Sequence, residues 1–323
     1  MWPWIKDKVM SERELNILID LAQRVMWAGP EIHRELQKHR IFLTPARFYA
    51  DIPTIEEVES SFEYLAPNGP YNNPAVFDLD RMRRFLAKIA PYSVEFSPPK
   101  SGDVDAPKAY FWENPLFSHA DAMAYWSVIR FAKPARIVEI GAGFSSLIAL
   151  SALAANGGGQ LCCVEPYPTG WLSELGRRGG LTLVRDKVQN LPPSFFNDRL
   201  GNGDILFIDS THTVKIGSDC LHLYLRVLPS LRRNLLVHAH DICLPYPFPM
   251  RRALEDQVHW TEQYLLYAYL LENPKTRVLF ASHFMGQALA DDLVRFMHGR
   301  AGAGGGSFWF SLGGGDQDFD PSR

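Results

Sequence analysis

The chain has 323 residues, with 33 Lys and Arg against 36 Asp and Glu, a formal charge of −3, 46% hydrophobic and 21% charged residues. Those figures suit a globular protein of one α/β domain plus an appendage and leave no basic excess for a nucleic-acid partner. Four cysteines without a CxxC spacing exclude a disulfide framework and a zinc-finger pattern, and no run approaches the ~18 apolar residues of a membrane span.

The opening segment "MWPWIKDKVMSEREL" lacks the apolar run of about 7–15 residues that marks a secretory leader. With reduced thiols, a cytoplasmic protein is expected. "SERELNILIDLAQRVMWAG" predicts a helix with Leu15, Leu18, Leu21 and Val25 on one face, and Ser11 with Glu14 makes a capping box. From 42 to 117 the texture turns rich in Pro and aromatics around one helical stretch, "DLDRMRRFLAKIAPY". The aromatics there, among them Phe48, Tyr49, Tyr110, Phe111, Trp112 and Phe117, either pack into a core or cover a pocket as a lid. Residues 1–117 are therefore expected to form an N-terminal helical and aromatic-rich extension.

From 118 strands and helices alternate. "RIVEI", "QLCCVEP", "LTLVRD", "GDILFIDS", "NLLVHAHD", "TRVLFAS" and "GSFWFSLG" predict strands. "SHADAMAYWSVIRFA", "FSSLIALSALAAN", "TGWLSELGRRG", "SDCLHLYLRVLPSL", "HWTEQYLLYAYLLEN" and "DDLVRFMHG" predict the helices between and around them. Ser118 is placed to cap the first, with Asp121 in its opening turn. Short apolar strands alternating with helices give a Rossmann-like, doubly wound, mostly parallel sheet over 118–313. "GRAGAGGGS" is expected to be flexible, as is the tail 314–323.

The chemistry should gather beyond the carboxyl ends of the strands. After "RIVEI", Gly141 and Gly143 let backbone approach a ligand. Ser146 stands where a dinucleotide fingerprint wants its third glycine, and no Walker lysine is present. Glu139 at the strand end would repel a phosphate and attract a cation. The second strand ends in Glu165, an acid suited to two ribose hydroxyls. A cationic methionine moiety and a ribose together fit S-adenosylmethionine, whereas a nicotinamide cofactor is disfavoured.

The segment "VEIGAGFSS", extended by "VEPYP", "LFIDSTHTVKIGSD", "LVHAHDICLPYPFP" and "WTEQYLL" and led by "FYADIP" and "FWENPLFSHADA", resembles the class I S-adenosylmethionine-dependent methyltransferases, and among them the bacterial methyltransferase domain family 24. The resemblance implies seven strands in the order 3-2-1-4-5-7-6 with the last antiparallel. It implies a cofactor held by Glu139, Gly141, Gly143, Ser145, Glu165, Pro166 and Asp209. It leaves the acceptor unspecified, in a natural-product or polysaccharide setting.

Two strand ends carry the remaining candidates: Asp209 with His212, and His238, His240 and Asp241. Asp209 or a histidine can be the general base that takes an acceptor's proton. Alternatively Asp209, Asp241 and His240 hold a divalent metal, as in catechol and sugar O-methyltransferases, which this arrangement resembles. The histidines can also be buried residues that fix loops. Trp260, Gln263, Tyr264 and Tyr267 share a helical face, which packs into the core; alternatively Gln263 or Tyr264 lines an acceptor pocket, with Tyr49, Tyr110, Trp112 and His238 as further substrate or lid residues. Lys215 and "MRR" at 250–252 are expected on the surface. The activity expected is methyl transfer to an O or N atom of a small-molecule substrate, with no membrane partner; pairing of the N-terminal helices would give a homodimer. The runner-up uses the same cofactor without an acceptor: its own amine attacks its γ-carbon, giving azetidine-2-carboxylate and methylthioadenosine. A third reading is a binding protein without activity.

Overall fold

A computed structural model describes residues 10–66, 68–117 and 119–313, with the backbone alone for His119. The expected cap Ser118, the tail 314–323 and residues 1–9 lie outside the described residues. Among those described, seven strands form one sheet: β1 Arg136–Ile140, β2 Gln160–Val164, β3 Thr182–Val184, β4 Ile205–Ile208, β5 Leu235–Ala239, β6 Thr276–Ala281 and β7 Phe308–Leu312. The order is β3-β2-β1-β4-β5-β7-β6. The first five strands pair in parallel and β7 runs antiparallel to both β5 and β6. Every position of β4 and β5 is buried, which is why these strands are continuous apolar runs rather than alternating ones. The edge strand β3 is shorter than "LTLVRD" suggested, since only β2 pairs with it.

The predicted helix over 218–231 breaks into three pieces: an α-turn Asp219–His222, a π-turn Leu223–Val227 and a 3₁₀ turn Leu228–Ser230. Pro229 cannot continue an α-helical ladder. The π-turn holds Tyr224, fully buried, against the residue that will anchor the candidate site.

The chain divides into two compact units, Met1–Ser60 and Ser61–Arg323. The boundary expected at 117/118 therefore moves to 60/61. The reason is apolar burial: helix Leu79–Ser93 packs on helix His119–Ala132 and on β6, with Met82, Phe85, Leu86 and Ile89 buried. Of the two readings open for Tyr110 and Trp112, core or lid, the core holds: both join it. Phe96 gathers them, with ring centroids at 5.7 Å from Tyr110, 5.1 Å from Trp112 and 5.0 Å from Trp126. Packing in tilted, edge-on and stacked pairs takes these rings out of water. In the first unit, helix Glu12–Met26 starts at the expected capping box of Ser11 and Glu14, and none of its residues is buried. Tyr49, the other lid candidate, belongs to this unit and is exposed, edge-on to Phe48.

Candidate active site

The turn after β1 is built around two glycines with different tasks. Gly141 has φ +79°, and a Cβ there would lie 2.3 Å from the carbonyl oxygen of Asp209. Only glycine lets the ends of β1 and β4 meet so closely. A Cβ at Gly143 would meet nothing within 4 Å, so this position borders open space. Helix Phe144–Ala155 begins there. Ser146 takes the third-glycine position to cap that helix: Gly143 N–H donates to its Oγ at 3.3 Å, and the hydroxyl donates onward to Glu139 Oε2.

Glu139 does not open onto the loop as expected of an acid at the strand end. It has no exposed surface and lies beneath the turn, where Tyr125 OH donates to its Oε1 at 2.8 Å. Burial pushes its carboxyl up to about 7, although the hydrogen bonds of Ser146, Tyr125 and Cys163 favour the ionised form. Ser145 is buried in the first turn of the helix. Glu165 and Pro166 follow β2 half-buried, and Glu165 Oε1 accepts from Tyr167 N–H at 2.8 Å.

Beyond β4 and β5 two imidazoles and two carboxylates face one another. His212 Nε2 lies 3.3 Å from Asp209 Oδ1 and 3.8 Å from Asp241 Oδ2. His240 Nδ1 lies 3.5 Å from Asp209 Oδ1 and 3.8 Å from Asp241 Oδ1. Each ring is held at its far nitrogen by a buried carboxylate: His212 Nδ1 by Glu262 Oε2 at 2.8 Å, and His240 Nε2 by Asp121 Oδ2 at 3.4 Å. Aromatic rings cover both: Trp260 sits 4.3 Å from His212 and Phe117 4.8 Å from His240, centroid to centroid. His212 and Asp241 both take left-handed backbone, at φ 58° and 57°, a conformation of non-glycine residues that gathers at functional sites.

The two anchoring acids were not legible as such. Glu262 is 1% exposed and accepts from Tyr224 OH and Ser210 Oγ, each at 2.7 Å. Asp121, expected only in a helix's opening turn, is buried, and its Oδ1 accepts from Gly306 N–H at 2.9 Å and Ser307 N–H at 2.8 Å. The glycine run before β7, expected to be flexible, is thus part of the site. A Cβ on Gly305 would strike Asp121 Oδ1 at 2.7 Å, and one on Gly306 would strike Asp241 Cα at 2.9 Å.

Electrostatics follow the geometry. Burial opposes charge on His212, but the hydrogen bonds and charges of Asp209 and Glu262 outweigh it and hold the imidazole up to about 10. His240 is likewise driven well above its ordinary range against burial, by Asp209 and Asp121. Asp209 is held below the usual carboxylate range despite burial, by His240 and His212. Burial lifts Asp241 above it, against the pull of the same imidazoles. Asp209 and Asp241 have side chains 35% and 38% exposed, against 8% and 5% for His212 and His240. The cluster therefore opens to solvent on its carboxylate side.

Three expected pocket residues lie elsewhere. His238 is sealed in the core, stacked on Trp309 at 4.3 Å, with Nε2 2.9 Å from Ser307 Oγ. Gln263 is 3% exposed, and its amide ties a turn: its Oε1 accepts from Cys243 N–H at 3.1 Å and its Nε2 donates to the Tyr246 carbonyl at 3.2 Å. Tyr264 OH donates to Glu63 Oε2 at 3.2 Å. Side chains that satisfy backbone or one another in this way are fixed in place by structural hydrogen bonds.

A family model described as a methyltransferase domain matches residues 138–242. An uncharacterized protein of Archaeoglobus fulgidus is 33% identical over 190 residues, which span 56% of this chain and 83% of that protein. Two solved structures resemble the chain more distantly. The O-methyltransferase TomG from Streptomyces achromogenes, involved in tomaymycin synthesis and solved with SAM, is 16% identical over 72% of this chain and 90% of its own, with a TM-score of 0.38. The O-methyltransferase from Bacillus cereus in complex with SAH is 12% identical over 72% and 91%, also with a TM-score of 0.38. Likeness at that level carries no chemistry to this chain.

Proposed function

The chain belongs to the methyltransferase domain family, and from that premise we propose that it binds S-adenosylmethionine in the turn after β1 and transfers its methyl group to an oxygen or nitrogen of a small molecule. One observation carries this reading. Asp209 joins the two halves of the site: its backbone carbonyl abuts Gly141 in the turn, while its carboxylate meets His212 and His240. A donor lying over the turn and an acceptor reaching the cluster would thus be neighbours, and positioning of that kind supplies much of the acceleration in a displacement.

The open space at Gly143 fits a ligand lying against the start of helix Phe144–Ala155. Glu139, ionising near 7 beneath the turn, favours a cation above it without exposing a carboxylate. Glu165, half-buried after β2, would accept from the ribose hydroxyls. The acceptor reaches the cluster through Asp209 and Asp241, its exposed members, and gives up its proton there as its oxygen or nitrogen attacks the methyl carbon. The sulfonium loses its charge in that step, which a poorly solvated site favours.

The test is incubation of the purified chain with S-adenosylmethionine and a panel of small hydroxyl and amine acceptors, with products followed by mass spectrometry. Methylated acceptor with an equal amount of S-adenosylhomocysteine is the expected result. Methylthioadenosine with a four-membered amino acid, formed without any acceptor, would replace methyl transfer by cyclisation of the cofactor.

A further inference from the structure

The cluster beyond β4 and β5 has the geometry of a metal centre, and this holds whether or not the methyl-donor reading does. Four contacts run in a closed ring: His212 to Asp209, Asp209 to His240, His240 to Asp241 and Asp241 to His212, at 3.3, 3.5, 3.8 and 3.8 Å. Ligands about 2.0–2.1 Å from a tetrahedral ion are separated by about 3.3 Å along each edge. Asp241 turns Oδ1 to His240 and Oδ2 to His212, while Asp209 Oδ1 and His240 Nδ1, 3.5 Å apart, are spaced nearly as two ligands of one ion. The donor atoms of Asp209, His240 and Asp241 all lie within 4.8 Å of one another.

A second observation is independent of spacing. His240 Nδ1 is buried, aims at both aspartates and has no hydrogen-bond partner. A nitrogen so placed forgoes the bond that would offset its burial, and a metal ion would satisfy it. A third concerns the far side of each ring. Metal-bound histidines almost always donate their other N–H to a carboxylate or carbonyl. Both imidazoles here do so, to Glu262 and Asp121, and both of those acids are fixed by further donors.

We infer that Asp209, His240 and Asp241 form a three-ligand site for one divalent transition-metal ion, with Asp121 as the positioning residue for the ligating imidazole and His212, fixed by Glu262, beside it. An imidazole beside two carboxylates favours transition ions such as zinc, cobalt or iron over magnesium and calcium, which favour all-oxygen sites. The exposed carboxylate side leaves coordination positions for an oxygen ligand from outside, which suits an acceptor bearing a hydroxyl or a pair of neighbouring oxygens.

The experiment uses the full chain, stripped with a chelator and titrated with Co²⁺, with bound metal measured by atomic emission and coordination by visible absorption. One equivalent is expected, displaced by stoichiometric Zn²⁺ and untouched by a large excess of Mg²⁺. Asp241→Asn changes an exposed ligand and should weaken Co²⁺ at least tenfold with an unchanged circular dichroism spectrum. Asp121→Asn, which removes the carboxylate behind His240, should weaken it by about 10–100-fold, the usual effect of losing an outer carboxylate. Absence of bound Co²⁺ in natively folded protein would overturn the inference. So would binding indifferent to both substitutions, a thiolate charge-transfer band pointing to the cysteines, or displacement by Mg²⁺ as readily as by Zn²⁺. S-adenosylmethionine affinity of the same metal-free samples is read separately, so a missing metal and a missing cofactor are told apart.

Discussion

Replacing Glu139 by Gln tests the electrostatics of the turn most directly. The carboxyl is fully buried and ionises near 7 instead of its ordinary 4.5. In the folded chain it therefore holds a proton that the unfolded chain releases earlier. Between those two values the folded state binds more protons than the unfolded one, so stability falls as pH rises through that window. The gap between 4.5 and about 7 corresponds to about 3 kcal/mol. Glu139→Gln keeps the shape and can still accept from Tyr125 OH, but it cannot ionise. The variant should match the wild type to within a pH-independent offset below pH 4.5. It should then gain on the wild type by about 3 kcal/mol by pH 8, the bulk of the gain falling between 4.5 and 7. Urea denaturation at half-unit steps from pH 4 to 8 measures this, and titrations elsewhere in the chain cancel in the difference. A wild-type-to-variant gap that stays flat across the series would refute the reasoning. S-adenosylmethionine gives a companion reading: its affinity should rise through pH 7 in the wild type and lose that rise in the variant.

Gly141→Ala places a methyl against the Asp209 carbonyl at 2.3 Å and strains a φ of +79°, which should cost about 3 kcal/mol or more and appear as a lowered Tm. Gly143→Ala meets no neighbour, so its Tm should stay near wild type while S-adenosylmethionine affinity falls, measured by calorimetry. Glu262→Ala strands His212, Ser210 and Tyr224 in a buried site and should cost about 3–5 kcal/mol in urea denaturation. His238→Phe keeps a ring stacked on Trp309 but strands the buried Ser307 hydroxyl; stability should fall by about 1–3 kcal/mol, with methyl-transfer rates unaltered, which separates this histidine from His240.

The sequence by itself carried the parallel sheet, because strands buried on both faces must be apolar throughout and helices between them must cover those faces. The Gly141–Gly143 turn, the acids at the ends of β1 and β2 and the two clusters at the ends of β4 and β5 were legible for the same reason: each lies within a few residues of a strand end, and strand ends converge. Tertiary structure decided what depends on distant segments. Glu262, 50 residues beyond His212, and Asp121, 119 residues before His240, reach the imidazoles only through packing. The glycine run before β7 gave no local signal beyond freedom, because its task is close approach of its backbone to Asp121 and Asp241. Burial, likewise, is a property of the packed chain: it placed Tyr110 and Trp112 in a core, sealed His238 within an interior strand of the sheet, and turned Glu139 from an open acid into one that ionises near neutrality.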